Sequence, residues 1–288
     1  MMHSFHWRTG STQVGVGYDV RGAGQTVLLL PAFSTVSTRH EMAPLASQLG
    51  SGFRTVTVDW PGFGADAAPA LPHAPDLHVG FLEAFATQTE TLPLAVVAAG
   101  HAAGYALMLA SRRPGLWSHI VLIAPTWRGP LPTMMGGYRP LQDRIRSVIR
   151  APAIGPLLYR MNVSRPVIAA MYRRHVYADR GRITPDFVAS KEAIARRPGG
   201  RFGSAAFVTG ALDPVRDRHS FLALARAQTA PVLVVYGAQT PPRSRAEIEA
   251  LAALPGIQGR CLERGSLGLH EEEPAAVAAA VIPFLRAP

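Results

Sequence analysis

The heptapeptide Ala98-Ala99-Gly100-His101-Ala102-Ala103-Gly104 lies between an apolar run, Leu94 to Val97, and a helix-like run, Tyr105 to Arg113. Small residues at a strand-to-helix turn, with glycines four apart, make the G-x-S-x-G frame that holds up a nucleophilic serine. The central position here is Ala102, which has no nucleophilic atom. A second group of polar side chains follows the next apolar run: Trp127 and Arg128 fall at the end of Ile120 to Ile123, where side chains face a pocket mouth. The planar, permanently charged fork of an arginine at such a place suits a carboxylate or a phosphate. Tyr138, after the flexible Met134-Met135-Gly136-Gly137, and the string Tyr172-Arg173-Arg174-His175-Val176-Tyr177 add aromatic and imidazole groups among arginines.

The elements that must position these groups can be read from hydrophobic periodicity. Alternation over Thr12 to Val20 predicts an edge strand, followed by a turn at Arg21 to Gly24. Continuous apolar runs at Thr26–Leu30, Phe53–Val58, Leu94–Ala98, Ile120–Ile123 and Val232–Tyr236 predict buried parallel strands. Helix-like stretches separate them, and a proline-rich loop spans Ala68 to Pro75. Strands alternating with helices imply a mostly parallel α/β sheet flanked by helices on both faces. From about residue 128 to 205 the pattern becomes all-helical, with breaks at Pro and Gly, and predicts an inserted helical lid. The core is then 1–127 together with 206–288.

Charge concentrates in that insertion. Between Arg128 and Arg201 there are fourteen Arg and one Lys against four acids, a balance of +11 within a chain of +10, so the remainder carries −1. The bases are spread over several helices without a recognisable binding motif, which argues against nucleic acid. A basic helical lid suits an anionic membrane surface or an acidic protein instead. Cys261 is the single cysteine, so neither an intrachain disulfide nor a cysteine-based metal site is expected. No apolar run approaches the ~20 residues of a membrane span, the first residues lack a signal peptide's apolar stretch, and a cytoplasmic location is the expectation.

In combination, VLLLPAF, TVDWPGFG, VVAAGHAAGYALMLA and GLHEEEPAAVAAAVIPFL make the chain resemble the α/β-hydrolase superfamily over nearly its whole length. The resemblance implies a Ser-acid-His triad, and its positions map to Ala102, Thr240 and Leu267, none of which can play its part. It also implies oxyanion-hole amides at Phe33 and Ala103. Ser34, Ser37 and Ser266 with His40, His101 or His270 and Asp213 are the groups from which a relocated nucleophilic system would be drawn, whereas a second histidine at the place of His270 is usually structural in such proteins.

These residues predict a non-hydrolytic protein that binds a small, partly apolar, anionic molecule under the lid, without a metal or cofactor. Ser34, His101, Trp127, Arg128, Tyr138, Tyr172, His175 and His270 are the ligand-binding candidates. A cofactor-independent lyase or decarboxylase that uses the two backbone amides is the alternative, because an enolate needs charge stabilisation and no covalent nucleophile. A protein whose lid docks a membrane or a partner is the third reading.

Overall fold

The computed structural model describes residues 2–64, 70–90 and 92–287. Ala68 and Pro69 of the expected proline-rich loop lie outside them. Eight strands, β1 (Met2–Thr9), β2 (Thr12–Arg21), β3 (Thr26–Leu30), β4 (Arg54–Val58), β5 (Leu94–Ala99), β6 (Trp117–Ile123), β7 (Val232–Gly237) and β8 (Ile257–Leu262), form one sheet. Their order is β1-β2-β4-β3-β5-β6-β7-β8. Strands β3 to β8 run parallel, and β1 and β2 are antiparallel additions. The strand expected at the edge is therefore second from it. The hairpin partner β1 went unread, although the pattern Ser4-Phe5-His6-Trp7 alternates and Phe5 is buried.

Helices α1 (Ala43–Leu49), α2 (Pro75–Thr89) and α3 (Ala102–Arg112) alternate with the strands. Between β6 and β7 lie α4 (Pro130–Met134), α5 (Pro140–Arg150), α6 (Gly155–Asn162), α7 (Arg165–Met171), α8 (Pro185–Ala195), α9 (Gly200–Val208) and α10 (Arg218–Arg226). The chain closes with α11 (Pro242–Ala252), α12 (Leu269–Glu272) and α13 (Pro274–Leu285). The unbroken Val/Leu/Ile/Ala runs of the inner strands follow from burial on both faces. One apolar cluster joins one face of the sheet to α2 and α3, and a second joins the opposite face to α1 and α13. The lid has its own core, built on Tyr159, Ile168, Tyr172, Tyr177 and Val188, and Val36 from the main body inserts into it. Helix α9 crosses residue 205, the boundary expected for the lid.

From β3 the chain goes to β4 on one side, and β5 lies on the other. This reversal opens a crevice beyond the carboxyl ends of β3 and β5, where open α/β sheets place their sites. The loop after β3 is anchored there by a buried ion pair. The backbone N–H of Arg39 donates to Asp59 Oδ1 at 2.6 Å, and its guanidinium donates to Asp59 Oδ2 at 2.5 Å and to Asp19 at 2.8 Å. The pair binds the start of a 3-10 turn, Arg39–Met42, to the end of β4.

Candidate functional site

The sharp turn between β5 and α3 falls at Gly100, whose φ of 52° lies in the left-handed region. This corrects the assignment of Ala102 to the apex: Ala102 is the first residue of α3, fully buried, two residues beyond the turn. Only a residue without Cβ enters this backbone conformation without strain. A Cβ on Gly100 would lie 3.1 Å from the Cβ of Ala32 in the loop after β3. The small residues flanking the apex are thus Ala98 and Ala102. Gly104 has another reason to be glycine, since a Cβ there would fall 2.3 Å from Cγ of Pro214.

With the apex at Gly100, the amide that follows it is that of His101, two residues before the expected Ala103. The N–H of Ala103 donates within the turn to Gly100 O at 3.3 Å. Phe33 is buried and lies in an aromatic stack, its ring 4.4 Å from Trp60 and 4.7 Å from Tyr105 between centroids. Thr240 is buried and its Oγ1 has no hydrogen-bond partner among the described residues, while Leu267 is half-buried. The hydroxyl of Ser34 accepts from the N–H of Val36 and from Ser37 Oγ, a local turn arrangement. Ser266 donates to His175 O at 3.1 Å.

Two buried histidine–carboxylate pairs flank the turn. In the first, His270 Nε2 stands 3.2 Å from Glu41 Oε1, which also accepts from the N–H of Ala32 at 2.7 Å. Burial penalises the Glu41 carboxylate, but the His270 hydrogen bond and charge, with Lys191 behind them, hold its pKa below the ordinary value. Lys191, the only lysine in the chain, reaches from α8 to Glu271 at 2.9 Å. The N–H of Asp179 donates to Glu272 Oε1 at 2.6 Å, and the N–H of Gly268 donates to Val176 O. These bonds latch the lid onto the loop that carries His270.

In the second pair, His101 Nε2 donates to Leu212 O at 2.8 Å and lies 3.5 Å from Asp213 Oδ1. The carbonyl fixes the proton on Nε2. Burial lowers the His101 pKa to about 4 and raises that of Asp213 to about 8, so both groups are neutral at pH 7. Asp213 Oδ1 also accepts from the N–H of Gly129 at 2.8 Å, which ties the start of the lid to its end. Asp213 and His101 therefore do come together, as a closed pair with neither side chain open to solvent.

The candidate ligand residues divide between separate places. Trp127 and Arg128 wall a cavity of about 550 Å³ with Met134, Arg243 and Glu247. The Arg128 guanidinium stacks 4.4 Å over Trp127, whose indole N–H donates to Glu247 at 3.2 Å. Tyr138 lines a larger cavity of about 770 Å³, formed by the loop before α2, by α5 and by the segment after α9. Arg146, Arg150, Arg216 and His73 share that cavity with Asp143 and with apolar Pro72, Pro75 and Ala206. Arg146 is paired with Asp143 at 2.8 Å, and Arg216 lies 4.2 Å over the Tyr138 ring. Burial, then the charges of Arg150 and Arg197, lower the His73 pKa to about 4, and its ring bonds to His78 at 3.2 Å. Tyr172 belongs to the lid core, and His175 is exposed. Neither of these two lines the described cavities.

Sequence reasoning passed over Glu41, His73, Arg146, Arg150 and Arg216. The first and the last are far in sequence from the groups they join, and the two lid arginines were lost among the many arginines of α5 and its neighbours. No group of three or more His, Cys, Asp or Glu side chains is arranged to hold a metal among the described residues, and no described helix is long and apolar enough to cross a membrane.

Residues 27–280 match the profile of the Alpha/beta hydrolase family, and the chain belongs to that family. No curated protein gave a significant match. Among solved structures, a serine hydrolase involved in carbazole degradation superposes with a TM-score of 0.73 at 16% identity, covering 99% of each chain. The haloalkane dehalogenase DatA of Agrobacterium tumefaciens C58 gives 0.72 at 13% identity, over 99% of this chain and 96% of that one. A thermophilic esterase from Thermogutta terrifontis gives 0.71 at 19% identity, over 99% and 98%. At these identities the likeness is one of fold.

Proposed function

We propose that this protein is a non-hydrolytic member of its family that binds a small, partly apolar anion in the cavity between α5 and the loop before α2. The observation that carries the first half is the residue at the elbow. A glycine stands at the turn where a nucleophile's side chain would be held, and a Cβ there would already crowd Ala32. Thr240 and Leu267, at the acid and base positions, supply neither a carboxylate nor an imidazole. Both buried histidines near the turn are engaged, one with a carbonyl and one beside a carboxylate.

The cavity argument is electrostatic. Arg146, Arg150 and Arg216 face one carboxylate, Asp143, so the space keeps an excess of positive charge. A ligand with a carboxylate or phosphate at one end would meet that excess, and its apolar part would lie against Pro72, Pro75 and Ala206.

The test has two arms. A fluorophosphonate probe and p-nitrophenyl acetate should find no reactive serine, and labelling or turnover would overturn the non-hydrolytic reading. Calorimetric titration with octanoate, octyl phosphate and octanamide should show binding of an anion and none of the amide. Arg150→Ala and Arg216→Ala should weaken the anion about tenfold each, the loss of one charge-assisted contact. Equal binding of amide and anion would overturn the assignment of the cavity.

A further inference from the structure

Helix α6 shows its apolar residues to solvent. Ile154, Leu157, Leu158 and Met161 recur at i, i+3, i+4 and i+7, and they are 51%, 61%, 38% and 63% exposed. The opposite side of the same helix, Gly155 and Tyr159, is buried against the lid core. The stripe continues on both sides. Val167 of α7 is exposed, as are Leu141 and Val148 of α5, and the latter two share with Leu158 a groove of about 400 Å³. Isolated apolar side chains at a surface are ordinary, but a helix with one face buried and a continuous apolar stripe on the other marks a surface that is covered in use.

Its surroundings say by what. Arg144 lines the same groove, and Arg160 sits within the stripe. Arg144 and Arg160 are exposed and form no ion pair among the described residues. A second copy of this face would bring unpaired arginines against unpaired arginines, which opposes self-association through it. An anionic bilayer satisfies both features: acyl chains accept the Leu, Ile and Met side chains, and the headgroups neutralise the arginines. It also needs no shape complementarity to an open stripe.

We infer that the lid face formed by α5, α6 and the start of α7 is a docking surface for an anionic lipid bilayer, with the α6 stripe lying in the plane of the interface. This inference rests on the outer face alone and is independent of the ligand cavity proposed above. The test is sedimentation of the full chain with vesicles of phosphatidylcholine alone and of phosphatidylcholine mixed with phosphatidylglycerol. The protein should sediment with the mixed vesicles and stay in solution with the neutral ones. The double substitution Leu157→Ser, Met161→Ser should lower the partition about tenfold, and Arg144→Gln with Arg160→Gln by a similar factor. All four side chains are exposed, so thermal unfolding of these variants should match the parent. A Leu157→Trp variant should show a blue-shifted emission with mixed vesicles, quenched by brominated lipid. No sedimentation with mixed vesicles overturns the proposal, and so does binding that the serine pair leaves intact, which would be simple charge adsorption. A concentration-dependent dimer abolished by the same serine pair would assign the face to a second copy instead.

Discussion

The elbow region and the lid handle charge in opposite ways. Around the elbow, each buried ionisable group is either paired or neutral: Arg39 with Asp59 and Asp19, Glu41 with His270, and Asp213 and His101 without charge at pH 7. On the outside of the lid, arginines stand unpaired beside exposed Leu, Ile and Met. A region that performs acyl transfer keeps a nucleophile and base open to substrate. Near the elbow Phe33, Trp60 and Tyr105 pack into a buried aromatic cluster, whereas unpaired positive charge and open apolar surface are found in the lid. The contrast teaches that within one fold the crevice at the strand ends and the insertion above it can balance buried charge and open surface in opposite ways.

The sharpest way to break this contrast is to unpair a charge at the elbow. Arg39→Ala leaves Asp59 buried without its partner, and chemical denaturation should show a loss of about 3–5 kcal/mol. A loss near that of a surface substitution would mean that the elbow side is as open as the lid. Gly100→Ser should cost about 1–3 kcal/mol, because it puts a side chain into a left-handed conformation against Ala32. It should also yield no esterase activity, since neither acid nor base is present at Thr240 and Leu267. Turnover of a p-nitrophenyl ester by that variant would reopen the site.

The neutral pair gives a pH signature. Native Asp213 keeps its proton up to about 8, whereas the unfolded carboxyl releases it near 3.8, so through this group rising pH favours the unfolded state over that interval. His101 and His73, neutral down to about 4 in the native protein and protonated below 6.5 when unfolded, act in the opposite sense over 4 to 6.5. Of these three groups Asp213 alone titrates between 6.5 and 8, and through it the melting temperature should fall across that window by a few degrees. Asp213→Asn, which keeps the acceptor for the N–H of Gly129, should flatten the fall, and an unchanged profile would place the titration elsewhere. The smallest effect belongs to the lid: Arg144→Ala should change stability by less than about 0.5 kcal/mol in chemical denaturation. A larger loss would show that Arg144 holds the lid together rather than standing free on its surface.

Much of the architecture was legible because it is local. The runs at Leu28–Leu30 and Val232–Val235 are continuous because both faces of their strands are covered, and the prolines and glycines of the insertion mark its helix ends. The elbow was misread by two residues for a physical reason. Two glycines four apart imitate the frame of the turn, yet only one of them takes the left-handed backbone, and spacing does not tell which. A signal was available: Ala102 would be strained at the apex, and Gly100 would not.

The sequence by itself determined the alternation of inner strands and helices and the concentration of positive charge in one insertion, since these follow from residue types and their short-range spacing. The tertiary structure alone decided that Glu41 meets His270 across most of the chain, that Asp213 and His101 are buried side by side, that Tyr138 rather than Trp127 shares its cavity with Arg146, Arg150 and Arg216, and that one face of α6 is left bare. Each of these depends on how distant segments pack, and pairing across such distances is set by the whole sheet and lid together rather than by any stretch of neighbouring residues.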